Sequence, residues 1–437
     1  MSTKSLPAWL DYIAAVHPKE IELGLERARE VATRMQLTRP APLVITVAGT
    51  NGKGSCVASL EALLEAAGYR TAAYTSPHIH IFNERIRIRA NNVPDAVVCA
   101  AFDFIERSRA GVSLSYFEFA TLAALWLFEQ AHVDVAILEV GLGGRLDAVN
   151  LVDADVAIIA SISLDHQDWL GDNVESIGAE KAGILRSARP AIYASLDPPR
   201  SIVNRARELS APLALLGQEF GYKEHADTWD WFGRTQSGAL IEWRNLPRPV
   251  LALSNVAAAI QALMLLPLQI DSEQLACTIG RLALAGRCEL RTDLRSGKQV
   301  LFDVAHNPAS ASMLAANLRR LRTYQPELQR IIAVMAVMAD KDIEGIVTAL
   351  ESCVNIWYIA QVEESRCLSA DTAVKRIKET GLQLQISAFD SVHSAYLAAC
   401  DQATAQDLIV VTGSFRTVAA VREMSQTTAI VREAPTI

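Results

Sequence analysis

The segment Leu43 to Ser55, LVITVAGTNGKGS, sets Gly49, Gly52, Lys53 and Gly54 at the end of an apolar, β-branched run. Those residue types in that order suit a polyphosphate. Glycines let backbone N–H groups approach an anion closely, Lys53 supplies a point charge toward the β and γ phosphates, and the hydroxyls of Thr50 and Ser55 can donate to phosphate oxygens. The following SCVASLEALLEAAG carries apolar positions at helical spacing until Gly68, so the loop lies at a helix N-terminus, where N–H groups and the helix dipole favour anions. The common pattern G-x-x-x-x-G-K-[ST] is not met, because Val47 stands where its first glycine belongs and Gly54 follows Lys53. An ordinary glycine-rich turn is the competing reading; strand, loop, lysine and helix together favour phosphate.

Further polar groups close successive apolar runs. Ser76 ends the run in TSPHI, Glu139 ends ILEVGLGGR, and Asp165 and His166 follow SIS in SISLDHQDWLG. In parallel sheets ligands bind beyond the carboxyl ends of strands. A carboxylate there is expensive to bury without a partner, and Mg²⁺ beside a nucleotide is a natural one, since it takes oxygen ligands together with phosphates. Taken alone, Ser76 is also a Ser-Pro turn, and His166 could be a loop histidine satisfied by Asp165 or Asp168. Lys181, in VESIGAEKAGIL, reads by composition as a solvated lysine. Asn255 and Arg287 flank the end of a first domain, and Asp303 and His306 begin the helix after the first strand of a second, which suggests a cleft closing over nucleotide from both sides.

The elements that position these groups alternate. Amphipathic helical sequence from Leu6 to Met35 precedes strand-like runs at 43–48, 71–76, 134–141 and 154–163, with helical stretches DAVVCAAFDFIERS and YFEFATLAALWLFEQA between them. This is an α/β pattern: a P-loop-type, mainly parallel sheet covered on both faces. Between Gly217 and Arg248 short aromatic pieces bearing Trp229, Trp231 and Trp243 predict a small antiparallel appendage of structural character. After an alanine-rich helix (Asn255 to Leu266), Gly286 to Lys298 is charged and weakly periodic. The expected domains are therefore 1–288 and a Rossmann-like α/β domain over 298–437, joined by a linker at 289–297. At 437 residues a two-domain chain is expected, and 51% hydrophobic with 21% charged residues is ordinary for a compact protein. The net charge of −8 argues against a nucleic-acid surface. Seven cysteines without a C-x-x-C pair fit free thiols in a reduced compartment, and no stretch reaches a membrane-spanning length, so a cytoplasmic monomer is expected.

GTNGKGS (49–55), TSPH (75–78), SYFE (115–118), EVGLGGRLDAVN (139–150), LDHQDWLG (164–171), EKAGI (180–184), AGR (285–287) and FDVAHNP (302–308) resemble, in the same order and nearly end to end, the bacterial bifunctional dihydrofolate synthase and folylpolyglutamate synthase family of Mur-ligase-like amide ligases. The unusual phosphate loop is itself that family's form. The resemblance implies that Asn51, Gly52, Lys53 and Gly54 bind ATP phosphates. It further implies that Ser76 and Glu139 hold one Mg²⁺, that His166 helps hold a second, and that Lys181 is carbamylated. Asn255, Arg287 and Asp303 would bind nucleotide, with His306 beside it. The pterin substrate is implied near Ala15 and Val16, along Ser115, Tyr116, Phe117 and Glu118, and along Leu146, Asp147 and Ala148. AGRCE departs from the P-G-R-F form associated with relatives, which keeps Arg287 in register and alters the local turn.

What the resemblance implies is ATP-dependent ligation of L-glutamate to dihydropteroate and to reduced folates. Lys53, His166 and Lys181 would serve the chemistry, an acyl phosphate would form on the substrate carboxylate, and the glutamate amine would then displace phosphate. Two other classes stay open on residues alone: a kinase phosphorylating a hydroxyl, and a nucleotide-controlled binding protein without turnover.

Overall fold

The computed structural model describes residues 4–19, 22–364, 366–425 and 427–429. The chain divides into two compact units, Met1–Leu282 and Ala283–Ile437.

In the first unit the apolar runs form an eight-stranded sheet of β1 (Leu43–Ala48), β2 (Thr71–Tyr74), β3 (Ile86–Ile88), β4 (Asn91–Asn92), β5 (Val135–Glu139), β6 (Val156–Ile159), β7 (Ala191–Tyr193) and β8 (Leu213–Leu215). The order is β4-β3-β2-β5-β1-β6-β7-β8, parallel except for β3 and β4. Both faces are covered by helices, which is why β1 reads as an unbroken apolar run: Val44, Ile45, Val47 and Ala48 are fully buried. The helices of this unit include α1 (Leu6–Val16), α2 (Glu26–Arg34), α3 (Lys53–Ala66), α4 (Asp95–Arg109), α5 (Tyr116–Gln130), α6 (Gln167–Leu170), α7 (Val174–Lys181), α8 (Arg200–Glu208) and α9 (Leu253–Met264).

The single helical start expected over Leu6 to Met35 is two helices. Pro18 explains the break: His17, the residue before it, takes the extended conformation (φ −112°, ψ 136°) that proline imposes on its predecessor. Trp9 of α1 packs 5.9 Å from Phe102 of α4, which packs 5.6 Å from Phe119 of α5, and this aromatic cluster fixes the N-terminus of α5. The aromatic segment forms an antiparallel sheet of β9 (Gly221–Glu224), β10 (Thr228–Arg234) and β11 (Leu240–Pro247). Trp231 is buried and its indole N–H donates to Ala257 O of α9 at 3.1 Å, so the tryptophans anchor the appendage, as expected.

The second unit is a seven-stranded sheet of β12 (Glu289–Asp293), β13 (Gln299–Phe302), β14 (Ile331–Met335), β15 (Ile356–Ile359), β16 (Gln385–Ala388), β17 (Leu408–Thr412) and β18 (Thr427–Ala429), ordered β16-β15-β14-β17-β13-β12-β18. Strands β12 and β18 are antiparallel; the remainder are parallel. The segment expected as a linker, 289–297, holds β12 and its turn into β13. Charge conceals this strand in the sequence: Leu290 faces Leu301 across the ladder and packs on the unit's core, while Arg291 and Arg422 both pair with Glu289. Among the described residues no helix is long and apolar enough to cross a membrane, and all seven cysteines are free.

Candidate active site

The loop after β1 needs both its early glycines. Gly49 (φ +151°) and Gly52 (φ +89°) lie where L side chains are strained. A Cβ on Gly49 would also stand 3.0 Å from Ala160 Cβ, and one on Gly52 would stand 2.6 Å from Asn255 Oδ1. Asn255, buried in the first turn of α9, therefore packs directly on the loop, and the structure brings together two residues chosen from sequence as nucleotide contacts. Thr50 N donates to Ser161 O at 2.7 Å and Thr50 Oγ1 to Ser163 O at 3.1 Å. The Thr50 hydroxyl, expected to face phosphate, instead ties the loop to the segment after β6. Asn51 joins the same seam, with Nδ2 3.3 Å from Ser163 Oγ. Lys53 Nζ donates to Gly49 O at 2.9 Å and Thr50 O at 3.3 Å, curling its charge over the loop, and Lys53 and Gly54 open α3 with no side chain capping its N–H groups. That leaves an anion-binding helix start.

Strand register carries the acid to the same edge. Val47 pairs with Glu139 across β1 and β5, so the carboxylate sits two residues from the loop's first glycine. Glu139 is 4% exposed and accepts from Ser76 N at 3.2 Å, beyond the end of β2. Its charge, after burial, helps push the Cys56 thiol up. No group of three or more His, Cys, Asp or Glu able to hold a metal occurs among the described residues. One buried carboxylate beside a serine still fits Mg²⁺ next to a nucleotide, because this cation takes one or two carboxylates and completes its shell with phosphate and water. His166 sits after β6 in the left-handed region (φ 52°, ψ 42°), its N–H donating to Asp165 Oδ1 at 2.9 Å.

Lys181 ends α7 and is 3% exposed, not solvated. The glycine-rich loop after β5 explains this: a Cβ on Gly144 would lie 2.9 Å from Glu180 O and 3.1 Å from Lys181 O, and Arg145 N donates to Glu180 O at 2.9 Å. Only glycine lets that loop seal the end of α7. Burial first, then the Lys53 charge, lowers the Lys181 amine to about 7, against a smaller opposing pull from Asp165 and Asp147. Asp147 is buried and pushed up to about 6 by desolvation, despite N–H donors from Leu142 and Val149 at 2.9 Å each and the opposing Lys53 charge. Lys53, Lys181, Asp147 and Asp165 thus share one field. In the sequence Asp165 stands, with His166, among the polar groups that close apolar runs, but carries no role of its own.

The segment expected to line the pterin divides by role. Ser115 and Glu118 form a capping box for α5, with Ser115 N to Glu118 Oε2 at 2.7 Å and Glu118 N to Ser115 Oγ at 3.3 Å, and Arg27 pairs with Glu118 at 3.1 Å. These two side chains serve the helix. Tyr116 and Phe117 are half-buried, with rings 6.1 Å from Phe82 and 5.8 Å from Tyr74. A Cβ on Gly141 would touch the Phe117 ring at 2.6 Å, so the loop after β5 closes on it. Leu146 is half-buried, its carbonyl accepting from Gly24 N at 3.2 Å, and Asp147 and Ala148 are buried. Ala15 is exposed and Val16 half-buried at the end of α1, where Val16 O accepts from Ser113 Oγ at 3.1 Å. The chain near Gly24, not Ala15, meets the 146–148 segment.

In the second unit, Asp303 is 7% exposed after β13 and accepts from Cys288 N and Ala305 N at 2.9 Å each. Burial raises it, and Arg287 opposes that shift. Arg287 lies 5.6 Å above the Phe415 ring, which is 6.3 Å from His306; the His306 imidazole bonds Val304 O at 2.8 Å. Arg287, Asp303 and His306 are therefore gathered, with Phe415 as an aromatic wall that GSF (413–415) did not announce in the sequence.

Residues 47–234 match the Mur ligase middle domain and residues 286–415 the Mur ligase glutamate ligase domain. The chain is 43% identical over 419 residues to the dihydrofolate synthase/folylpolyglutamate synthase of Escherichia coli strain K12, covering 96% of this chain and 95% of that protein. It is similar to the structure of E. coli FolC in complex with DHPP and ADP, with a TM-score of 0.90 and 43% identity over 97% of this chain and 98% of that one. The bifunctional folylpolyglutamate synthase/dihydrofolate synthase of Yersinia pestis, complexed with AMPPNP and Mn, gives a TM-score of 0.88 at 41% identity over 97% and 98% of the two chains. With both Mur-ligase domains matched and these relatives aligned along almost its whole length, the chain belongs to the dihydrofolate synthase/folylpolyglutamate synthase family of Mur-type ligases.

Proposed function

We propose that this protein joins L-glutamate to dihydropteroate, forming dihydrofolate, and to reduced folates, forming polyglutamates, with ATP and Mg²⁺, in the cytoplasm. The observation that carries the reading is the shared edge of β1 and β5, where the glycine loop with Lys53 and the buried Glu139 stand two residues apart in register. Such an edge can hold a polyphosphate and its counter-charge together.

The N–H groups of Asn51, Gly52 and Gly54 would bind and orient the phosphates, and Lys53 Nζ would offset charge growing on the transferred phosphoryl. Glu139, Ser76 and His166 would hold Mg²⁺, with Lys181 as its carbamate. When bound, the ion supplies neutralisation of phosphate charge. The acceptor carboxylate oxygen attacks the γ-phosphorus and ADP leaves, giving an acyl phosphate. The glutamate amine then attacks the acyl carbon, phosphate departs with the C–O electron pair, and the nitrogen loses a proton. Tyr116, Phe117 and Leu146 to Ala148 would hold the acceptor. Asn255, Arg287, Asp303 and His306 would contact nucleotide. Water must be kept from the acyl phosphate, and the close seal of the 141–144 loop on Phe117 and α7 serves that end.

The test is ADP release measured with each reactant omitted in turn. A ligase turns over ADP only when acceptor and glutamate are both present, with at most one enzyme-bound acyl phosphate per site when glutamate is omitted, whereas multiple turnovers of a hydroxyl-phosphorylated product without glutamate would mark a kinase.

A further inference from the structure

Arginines around the acceptor side of the first unit are paired with acids: Arg27 with Glu118 at 3.1 Å, Arg87 with Glu61 at 2.9 Å and Arg145 with Glu180 at 2.8 Å. Arg85 differs. Its side chain is half-buried, and among the described residues no carboxylate pairs with it. Its Nε donates to His78 Nδ1 at 2.8 Å, and its guanidinium lies 5.5 Å from the Tyr116 ring centroid and 5.9 Å from that of Phe82. Its field also reaches the buried Tyr74 phenol, whose ring lies 5.8 Å from that of Phe117.

The backbone beneath is braced. Glu84 Oε1 and Oε2 accept from Ile79, His80 and Ile81 N–H groups at 2.7, 2.9 and 3.1 Å, and Thr75 N donates to Arg85 O at 2.9 Å. With Nε engaged by His78 and one face on aromatic rings, the two terminal nitrogens form a fork of the geometry that takes a carboxylate in two parallel hydrogen bonds. A cation stacked on rings and lacking an acid partner is incomplete without an anion. The glycine loop has its own cation in Lys53, whose Nζ lies over Gly49 O and Thr50 O.

We propose that Arg85 binds the carboxylate of the acceptor, setting the aryl carboxylate of dihydropteroate beside the Tyr116 and Phe82 rings. This deepens the ligase reading and rests on it, since it presumes an aromatic acceptor that ends in a carboxylate. A folate acceptor carries its reacting carboxylate one glutamyl unit further out, so Arg85 favours the shorter substrate.

The test is equilibrium binding to the full chain with ADP and Mg²⁺ present, comparing dihydropteroate with an analogue in which hydrogen replaces the aryl carboxylate. The wild type is expected to prefer the carboxylate about tenfold or more, the scale of a charge-assisted bond. Arg85→Met should reduce the preference to within about twofold, leave binding of ADP and of the analogue unchanged, and raise KM for dihydropteroate well beyond any change in KM for ATP. Arg85→Lys should restore part of the preference, which separates charge from fold. A wild type without the preference, or an Arg85→Met protein that keeps both preference and ADP affinity, overturns the proposal, as does a loss confined to ADP binding. Binding needs no turnover, so failure of the ligase reading shows separately, as absence of product from wild-type protein.

Discussion

Replacing Lys181 by arginine separates two chemistries that a solvated lysine would not distinguish. The lysine is buried at the sealed end of α7 with its amine brought from 10.5 to about 7. At pH 7.5 a group with that value is roughly three-quarters neutral, whereas at 10.5 only about one amine in a thousand is, a gain of several hundredfold in the form that can react with CO₂. The resulting carbamate is an anion with two oxygens suited to a hard cation. The unmodified lysine also has a pH signature. The unfolded chain binds more protons between about 7 and 10.5, so burial of the ammonium costs most below 7, and stability rises with pH through that window. Arginine can neither lose its proton nor form this carbamate. We expect Lys181→Arg to lower kcat on the order of 100-fold, the scale of removing one charge-stabilising group. Lys181→Ala should be similarly slow and partly rescued by formate or acetate. ¹³C NMR of wild-type protein in ¹³C-bicarbonate should show a carbamate carbonyl absent from both variants. Wild-type turnover in Lys181→Arg would refute the carbamate.

Glu139→Gln keeps shape but removes the buried carboxylate that ends β5, so turnover should fall about 100-fold or more with the thermal midpoint retained; near-normal activity at limiting Mg²⁺ would sink the assignment. Gly52→Ala puts a Cβ 2.6 Å from Asn255 Oδ1 at φ +89°, a strain of about 1–3 kcal/mol. It should weaken ADP binding about tenfold in a direct titration, and unchanged affinity would show that the loop's conformation does not matter for nucleotide.

Much of this architecture is legible in the sequence because period and punctuation agree. The run LVITVA ending in GTNGKG gives β1, loop and α3 within a residue or two, and Glu139 is readable because an acid closes an apolar run. What escapes has physical causes. Strands of three residues, such as Ala191–Tyr193 and Leu213–Leu215, are too short for a period to register. Strand β12 hides because its charges are satisfied sideways by Glu289, Arg291 and Arg422. Lys181 reads as solvent-facing because the loop that packs on the end of its helix, at Gly144, lies far along the chain. Ser115 and Glu118 stand in the segment expected to line the pterin, yet their spacing is also that of a capping box, and the structure shows the cap formed. Arg85 is invisible because having no carboxylate partner among the described residues is a property of the fold, not of spacing.

On the proposed function, one site activates two acceptors for the same amine. The direct measurement is mass spectrometry of products formed by the purified chain from ATP, Mg²⁺ and L-glutamate, with dihydropteroate in one reaction and tetrahydrofolate in the other. Dihydrofolate is expected in the first and glutamyl-extended tetrahydrofolate in the second, each with one ADP per amide bond. Extension of tetrahydrofolate with no dihydrofolate ever formed would contradict that function.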